Sequence, residues 1–505
     1  MFQAPDYIES VSVILSEVLS DIGVDERIVL KRRRAALLAE SMGTITSQLQ
    51  DFNCTGYFFG SQSEGTTTLA LKSDSDQLVC LNDFNVIQDR SDWKPNVENY
   101  LMIQDDTVSP GYCLLQHLKN DIPLPYHTVH DKYFSERKGK ILIKNKVMSE
   151  GAAAIYGRGI RHGPAQTLQE TPGITETDLV PAYHCKSWPL QARQWLDWQG
   201  VGQWPSADMR RHCGSTGSFL VAVGSKGSEH EELEWRISTS LAERRLMFSL
   251  NITQIRCYVL MKMILKRFIK PYFKDTISSF MCKTVMFHCI ANTHSNIWKE
   301  KNVLGCLSLS LFVLHNCILN EYCPHFIIPG NNLMKGNIPH KDKPYILQKL
   351  GDVVTGRCIA LLGIECDCLG LRLQLKIHNI GSVKTSVSEY ILRSLALNFD
   401  FVKRSCLTSI STSNSSYEEA VQTLRKYISK LDDISNQCEG VDKSACCLLA
   451  PLFCISLGTA LASRSIHLYN AVSEEALTWI SLGLNSDVSS GKLKLASVYN
   501  CTGNT

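Results

Sequence analysis

Three aspartates have a spacing that could create a metal site. Asp74 and Asp76 are separated by one residue at the start of an apolar run, and Asp178 opens another short apolar run much later in the chain. In a strand, residues two apart point to the same side, so the first two carboxylates would share one face of a sheet. Carboxylates that close repel one another unless cations lie between them, and hard oxygen ligands favour Mg²⁺ or Mn²⁺. The three acids therefore predict a site for two divalent ions.

A loop of small residues precedes the aspartate pair. Its sequence, Gly60-Ser-Gln-Ser-Glu-Gly65, would let backbone N–H groups approach a polyanion, and Ser61 adds a hydroxyl donor. Taken alone, such a loop is more often a plain turn, and an acid pair at a strand edge is more often solvated. Their succession favours a nucleotide site, in which one metal ion activates an attacking hydroxyl and the other neutralises a triphosphate.

The composition is that of an ordinary globular chain. Of 505 residues, 44% are hydrophobic and 20% charged, and the formal net charge is +3. This length predicts two or three packed units, and attraction to a polyanion would have to come from local clusters of Lys and Arg. The first residues lack the pattern of a secretory signal, so we expect a cytoplasmic protein. The apolar stretch at 304–319 is too short to cross a bilayer and predicts a buried helix rather than a membrane anchor.

The elements that must position the aspartates can be read from periodicity. Apolar residues recur at helical spacing from 7 to about 50 with a break near Gly23, which predicts a short helix followed by a long one. Strands are expected at 57–59, 77–81, 178–182, 219–223 and 234–238. From 240 to about 363 the pattern is strongly helical, and a low-complexity stretch at 408–416 precedes another helical pattern at 417–431.

Further motifs accompany the loop and the acids. They are Asp178-Leu-Val-Pro-Ala, Cys185-Lys-Ser-Trp-Pro, Trp204-Pro, Glu234-Trp-Arg-Ile-Ser, Leu260-Met-Lys and Ser278-Ser-Phe-Met-Cys-Lys-Thr. Together they resemble the Mab family of nucleotidyltransferase-fold proteins, more specifically the animal cyclic GMP-AMP synthase-like receptors, over residues 50 to 335. The resemblance implies an α+β, two-lobed nucleotidyltransferase fold. Its parts would be a core with a mixed sheet and a long spine helix (1–239) and a helical lobe (240–365). The resemblance does not cover the tail, whose own pattern predicts a helical extension of unknown role (366–505).

The resemblance also implies roles for individual residues. Asp74, Asp76 and Asp178 would be the catalytic ligands of two Mg²⁺ or Mn²⁺ ions, and Gly60 with Ser61 would hold the triphosphate. The other implied nucleotide-binding residues are Arg236, Ser238, Ser240, Glu243, Lys262, Ser279, Phe280 and Lys283. In such a pocket, guanidinium groups and rings stack on bases, and ammonium or hydroxyl groups bind phosphate oxygens.

The chain departs from the family pattern at three places. Ser75 replaces a hydrophobic residue, so we expect that strand to be less buried. Phe280 replaces the tyrosine of the vertebrate DNA sensor, which keeps stacking but removes a hydroxyl. Residues 243–262 are predicted to continue as one helix, without the His and Cys insertion that forms the zinc thumb of that sensor. The pairs Cys366/Cys368 and Cys446/Cys447 lack the spacing of a structural zinc site, so no zinc is expected.

Without a zinc thumb, double-stranded RNA is favoured over long double-stranded DNA as an activator. RNA read by its shape requires a basic face rather than base contacts. The candidate nucleic-acid-binding residues are Lys31, Arg32, Arg33, Arg34, Lys266, Arg267, Lys270 and Lys274. For the first four, the solvated face of a helix is the commoner outcome.

These features predict a nucleic-acid-activated innate immune sensor. It would join ATP and GTP, or another pair of nucleoside triphosphates, into a cyclic dinucleotide of the cyclic GMP-AMP type that a STING-type receptor then binds. One alternative is a catalytically inactive Mab-like protein that binds a nucleotide or serves as a scaffold. Another is a template-independent polymerase that adds nucleotides to RNA. It uses the same metal chemistry but fits the helical-lobe motifs poorly.

Overall fold

The structure is a computed structural model. It describes residues 5–129, 131–148, 150–151, 160–168, 176–273, 276–356, 358–381, 416–484 and 496. The chain divides into two compact units, one of residues 1–33, 59–169 and 175–392 and the other of residues 34–58, 170–174 and 393–505. The predicted boundary at 239/240 therefore lies inside the first unit, and the predicted extension from 366 contributes to both.

The elements give the chain the predicted α+β class. The described helices are α1 (Pro5–Asp21), α2 (Glu26–Leu49), α3 (Gly60–Glu64), α4 (Arg193–Asp197), α5 (Ala207–Ser215), α6 (Ser240–Phe248), α7 (Ile252–Ile264), α8 (Lys270–Phe273), α9 (Ser279–Ala291), α10 (Val303–Leu319), α11 (Lys343–Gly356), α12 (Cys358–Leu362), α13 (Leu369–Ile377), α14 (Tyr417–Gln437), α15 (Gly440–Tyr469) and α16 (Glu474–Gly483). The strands are β1 (Cys54–Phe59), β2 (Ser75–Ile87), β3 (Glu98–Ile103), β4 (Tyr112–Leu118), β5 (Phe134–Arg137), β6 (Lys140–Ile143), β7 (Ile160–His162), β8 (Ala165–Leu168), β9 (Thr177–Cys185), β10 (Ser218–Val221) and β11 (Glu234–Ser238). The expected short and long N-terminal helices are confirmed as α1 and α2.

The sheet of the first unit curves back on itself. Its strands follow the order β2, β3, β4, β11, β10, β9, β8, β7, and β2 pairs in addition with β9. The first half of β2 runs parallel to β9 and its second half runs parallel to β3, with an irregularity between Leu81 and Val86. Six strands therefore close into a circuit in which β2 is shared by two partners.

An aromatic stack of three buried rings and the half-buried Phe84 holds this circuit together. The ring of Trp235 on β11 lies 5.3 Å from that of Tyr183 on β9, which in turn lies 4.6 Å from Phe84 on β2 and 5.7 Å from Tyr100 on β3. Each such pair contributes about 0.5–1.5 kcal/mol beyond the burial of its area. One ring from each of four strands thus fixes the sheet that carries the aspartates.

Two local predictions were wrong. The small-residue segment after β1 is not a loop throughout, because residues 60–64 form the short helix α3, which Gly65 ends in a left-handed conformation at φ 73°. Residues 243–262 are not one helix either. Asn251 caps a new helix there: its side chain accepts from the Gln254 N–H at 2.9 Å, and the Gln254 side chain accepts from the Asn251 N–H at 2.9 Å.

The helices of the first unit pack against one another in a single core. All but the first residue of α7 are buried, and α7 continues into a π-helical turn at Leu265–Ile269. The predicted helix at 304–319 is confirmed as α10. By length and composition, the helices Glu300–Leu319 and Gly440–Tyr469 could each cross a bilayer, and about half of the most apolar part of each is buried inside the protein.

The second unit is helical where the structure describes it beyond β1. The later part of α2 packs with α14, α15 and α16, through buried side chains that include Met42, Leu424 and Phe453. Asp51 forms ion pairs with Lys426 and Lys430 of α14. The helix predicted at 417–431 is confirmed as the first part of α14, and residues 408–415 lie outside the described ranges.

The capping box of α7 makes a testable contribution to stability. Replacing Asn251 with Ala leaves the Gln254 N–H without its acceptor, so we expect the free energy of unfolding of the first unit to fall by about 1 kcal/mol. Chemical denaturation followed by tryptophan fluorescence would measure the change. Gln348→Ala, at an exposed helical position, is the matched control and should shift stability by less than about 0.5 kcal/mol. Equal effects of the two substitutions would contradict the role of the cap.

Candidate nucleotide site

The parallel pairing of β2 with β9 brings two of the predicted ligands together. Asp76 lies directly opposite Asp178 in the register, and Asp74 comes just before the first residue of β2. Residues opposite each other on adjacent strands point to the same face about 4.8 Å apart. Thr167 on β8 donates its hydroxyl to Asp178 Oδ1 at 2.6 Å, which fixes that carboxylate. Across the described part of the chain, no three Asp, Glu, His or Cys side chains converge into a metal-binding group.

The charge balance at the aspartates suits a cation. Burial, and then the charge of Asp178, raises the pKa of Asp76 to about 7, although Lys283 opposes the shift. Burial raises the pKa of Asp74 as well, and the charges of Asp178 and Glu176 add to it. Water nevertheless reaches both side chains. Divalent cations with a preference for oxygen would relieve this repulsion, and carboxylate oxygens are the donor type that Mg²⁺ and Mn²⁺ take, although the three carboxylates do not converge in the described structure.

Glycine is required at position 60 by the approach of Asp76. Gly60 has φ 73°, a left-handed conformation, and a Cβ atom placed there would lie 1.8 Å from Asp76 Oδ2. The backbone of α3 and the carboxylate are thus in direct proximity. Next to it, Ser61 Oγ accepts a hydrogen bond from Lys262 Nζ at 2.8 Å.

A buried ion pair lies behind the aspartates. Lys283 Nζ contacts Glu64 Oε1 at 2.5 Å, and both side chains are almost completely buried. Burial lowers the pKa of Lys283, but the charges of Glu64 and Glu243 outweigh it, and the net shift is upward. For Lys262 the charge of Glu64 does not offset the effect of burial, which lowers the pKa of Lys262 to about 7. Glu64 is a residue that the sequence analysis quoted in the small-residue segment without assigning it a role.

A cleft of about 910 Å³ opens from this point, at the upper end of the usual range for small-molecule sites. Ten of the predicted nucleotide-site residues line it: Gly60, Ser61, Asp76, Arg236, Ser238, Ser240, Glu243, Ser279, Phe280 and Lys283. Asp74, Asp178 and Lys262 lie next to it rather than on its wall. Burial lowers the pKa of Arg236, and Ser240 Oγ is buried without a hydrogen-bond partner in the described structure. The prediction therefore collected residues from distant segments that do surround one cavity.

His325 is a wall residue that the sequence analysis missed. Its Nδ1 accepts from the N–H groups of Ile327 and Ile328, both at 3.1 Å, so its Nε2 carries the proton and faces Glu243 Oε1 at 3.5 Å. Its ring also lies 5.6 Å from that of Phe280. A single His in an irregular loop forms no motif, so no sequence signal marked it.

The structure does not support Arg32 and Arg33 as parts of an exposed basic face. Both side chains are buried. Arg32 Nη1 donates to Gln62 Oε1 at 2.7 Å, and the Arg33 guanidinium donates to the carbonyls of Glu64, Met247 and Phe248. These two residues therefore hold α2 against α3 and α6.

The remaining predicted nucleic-acid residues differ in their surroundings. Lys266 donates to the carbonyls of Ala70 and Leu71, and Arg267 pairs with Glu365 at 3.0 Å. Lys31, Arg34 and Lys270 are exposed. Lys274 lies outside the described residues.

Comparison with known proteins gives two adjoining matches. Residues 98–249 match the Mab-21 protein nucleotidyltransferase domain, and residues 253–351 match the Mab-21 protein HhH/H2TH-like domain. The chain is also 27% identical over 235 residues to cyclic GMP-AMP synthase of Sus scrofa, a match that covers 42% of this chain and 47% of that protein. The matched part thus spans about half the length of this relative. Asp178 lies inside the first matched domain, whereas Gly60, Asp74 and Asp76 precede it.

The raised pKa of Asp76 predicts a pH-dependent stability. Because the folded state holds this proton more tightly than the unfolded state, stability falls as pH rises from the ordinary value of 3.8 through about 7. Asp76→Asn should remove that loss, so the variant should gain on the wild type across this window, by on the order of 1 kcal/mol after solvent screening.

Denaturation at pH 4 to 8 would measure the difference, with Asp83→Asn, an exposed acid later on β2, as the control. Millimolar Mn²⁺ at pH 7.5 should stabilise the wild type but not Asp76→Asn. A constant difference between the two proteins across the pH range would contradict the assigned environment of Asp76.

Proposed function

This chain belongs to the Mab-21 family, and on that premise we propose that it is a metal-dependent nucleotidyltransferase that makes a cyclic dinucleotide of the cyclic GMP-AMP type from ATP and GTP. The observation that carries the proposal is the register of β2 and β9, which sets Asp76, a residue of the cleft wall, opposite Asp178. Two acids from distant segments meet there beside Gly60 and Ser61. Nucleotidyl transfer needs carboxylates that hold metal ions and, at the same place, groups that donate hydrogen bonds to phosphate oxygens.

The residues around the aspartates would bind and orient the phosphates. When bound, two divalent ions would neutralise the triphosphate and lower the pKa of the attacking hydroxyl. Asp74, Asp76 and Asp178 would hold these ions, and a carboxylate of this group would receive the proton of the attacking hydroxyl. In each transfer the hydroxyl oxygen would bond to an α-phosphorus, the bond between the α- and β-phosphates would break, and pyrophosphate would leave. Ser61 Oγ, already oriented by Lys262, would donate to a phosphate oxygen, while the Glu64–Lys283 pair keeps positive charge close to Asp76.

Other residues of the cleft wall would bind the bases. Phe280 offers a ring for stacking, and Arg236 a planar cation. Glu243 Oε1 accepts from Thr239 and faces His325, so its second oxygen is available to an amino group of a base. The size of the cleft suits two nucleotides, as two successive transfers in one site would require. The similarity to cyclic GMP-AMP synthase supports this product, which a STING-type receptor would bind.

We assign double-stranded RNA as the activator of a cytoplasmic enzyme with a sheet lobe and a helical lobe. The connection between α6 and α7, at residues 249–251, is short and carries no His or Cys. RNA would be bound through its backbone by exposed basic residues, for which Lys31, Arg34 and Lys270 are the candidates.

A nucleotide-binding protein without catalysis is the second candidate function. The observation in its favour is that the three aspartates do not converge into a metal-binding group in the described structure. Such a protein would use the same cleft for a ligand but would not need the ions. The two candidates share every contact to the base and differ at the carboxylates.

Incubation with labelled nucleoside triphosphates, Mg²⁺ or Mn²⁺ and double-stranded RNA, followed by chromatography, tests the enzyme. We expect a cyclic dinucleotide, and we expect Asp76→Asn and Asp178→Asn to reduce its formation by about 100-fold or more, because each removes an ion ligand. Asp83→Asn is the matched control and should remain active. Full activity of Asp76→Asn would refute the ligand assignment. Nucleotide binding without product under every condition would favour the second candidate.

Charge reversal tests the RNA-binding residues. Lys31→Glu and Arg34→Glu should each weaken RNA binding equally for all sequences and lower the salt dependence of the affinity by about one phosphate contact. Lys349→Glu, at another exposed lysine, is the control for net charge. Binding titrations at several salt concentrations would measure both effects. Unchanged binding in both variants would place the RNA site elsewhere.

A further inference from the structure

The segment that leads to the aspartate pair is tied to a turn far along the chain. This segment, here called the entry loop, comprises residues 66–73 between α3 and β2. Asp367 accepts two hydrogen bonds from it: Oδ2 accepts from the Thr68 hydroxyl, and Oδ1 accepts from the Ala70 N–H at 3.1 Å. One carboxylate therefore holds the entry loop at two points.

The turn that presents Asp367 has an uncommon backbone. Asp367 and Cys368 both adopt left-handed conformations, at φ 52° and φ 55°. Two successive residues other than glycine in this region persist only where their surroundings hold them. Arg372 does so by donating to the Asp367 carbonyl at 3.2 Å, and Gly370 N–H bonds to the Ile364 carbonyl at 2.9 Å.

The π-helical turn after α7 contacts both the entry loop and the residues just before the Asp367 turn. Lys266 Nζ donates to the carbonyls of Ala70 at 2.7 Å and Leu71 at 3.0 Å. The next residue, Arg267, donates to the Gly363 carbonyl at 2.9 Å. Single π-helical turns within helices often occur at functional sites. Ala70 is consequently bound through its N–H by Asp367 and through its carbonyl by Lys266.

The last residue of the entry loop is also held by hydrogen bonds. Gln62 of α3 donates to the Ser73 carbonyl at 2.8 Å, and the Ser73 hydroxyl is hydrogen-bonded to that of Thr67 at 2.7 Å. Asp74 follows Ser73 directly. The position of the aspartates therefore depends on α3 at one end of the loop and on Asp367 in its middle.

We infer that Asp367 is a positioning residue, which sets the entry loop so that Asp74 and Asp76 can bind the ions. This inference rests on the proposed function of the aspartates. Asp367 lies beyond residue 351, where the match to the helical family domain ends. The residue does not touch substrate. It acts by limiting the conformations of the loop, and misplacement of a reacting group by about 1 Å can cost about 100-fold in rate.

Asp367→Ala should release the entry loop without unfolding the unit. Hydrogen exchange of peptides that cover 66–73 should become at least about tenfold faster, because Ala70 N–H loses its acceptor. Mn²⁺ binding, followed by electron paramagnetic resonance, should weaken by about tenfold. With RNA and nucleotides present, kcat should fall while KM for the nucleotides stays the same. Asp367→Asn, which keeps Oδ1 as an acceptor for Ala70, should recover most of each quantity.

Asp352→Ala, at an exposed acid of α11, is the matched control and should leave all readouts unchanged. Unaltered exchange at 66–73 in Asp367→Ala, or faster exchange with unaltered Mn²⁺ affinity, would overturn the inference. If Asp367→Ala does not fold, Thr68→Val removes the hydrogen bond between Thr68 and Asp367 from the other side. The same measurements of hydrogen exchange and Mn²⁺ affinity then test the inference. A wild-type protein that binds no Mn²⁺ would overturn the proposed function, and exchange alone would then decide whether Asp367 orders the loop.

Discussion

The parallel pairing of β2 with β9 is the constraint on which the candidate site depends. A shift of this register by one residue would turn Asp76 away from the face that carries Asp178, because side chains alternate along a strand. The aromatic stack of Trp235, Tyr183, Phe84 and Tyr100 opposes such a shift, since its rings come from four strands of the closed circuit. The hydrophobic interior of the sheet thereby determines the distance between two polar groups at its edge.

Charge is distributed unevenly around these carboxylates. The buried Glu64–Lys283 pair is nearly self-compensating, whereas Asp74, Asp76 and Asp178 together carry more negative charge than their neighbours offset. Removing one member of a buried pair would leave an uncompensated charge, which typically costs about 3–5 kcal/mol. One ion pair is thus balanced within the structure, whereas the charges of the three aspartates are not balanced by their protein neighbours.

The sequence predicted the parts of the site that local patterns encode. Periodicity located the strands that carry Asp76, Asp178 and Arg236, and the spacing of two acids along one strand predicted their common face. The sequence pattern could not predict the burial of Arg32 and Arg33. A run of basic residues on a helix looks the same whether its guanidinium groups contact water or hydrogen-bond to protein groups. His325 and Asp367 were missed for a related reason. Their partners are distant in sequence, and such contacts leave no periodic signal.

Gly60 has a consequence for reading related genes. Its missing side chain is the space that the Asp76 carboxylate occupies, so any larger residue at this position would force the acid away while leaving all three aspartates in the sequence. If the aspartates bind ions as proposed, a relative that retains the acids but has lost this glycine would be a poor candidate for catalysis. The presence of this glycine would therefore distinguish catalytic relatives from non-catalytic ones better than the presence of the acids does. A survey of paralogues could use it to separate enzymes from scaffolds.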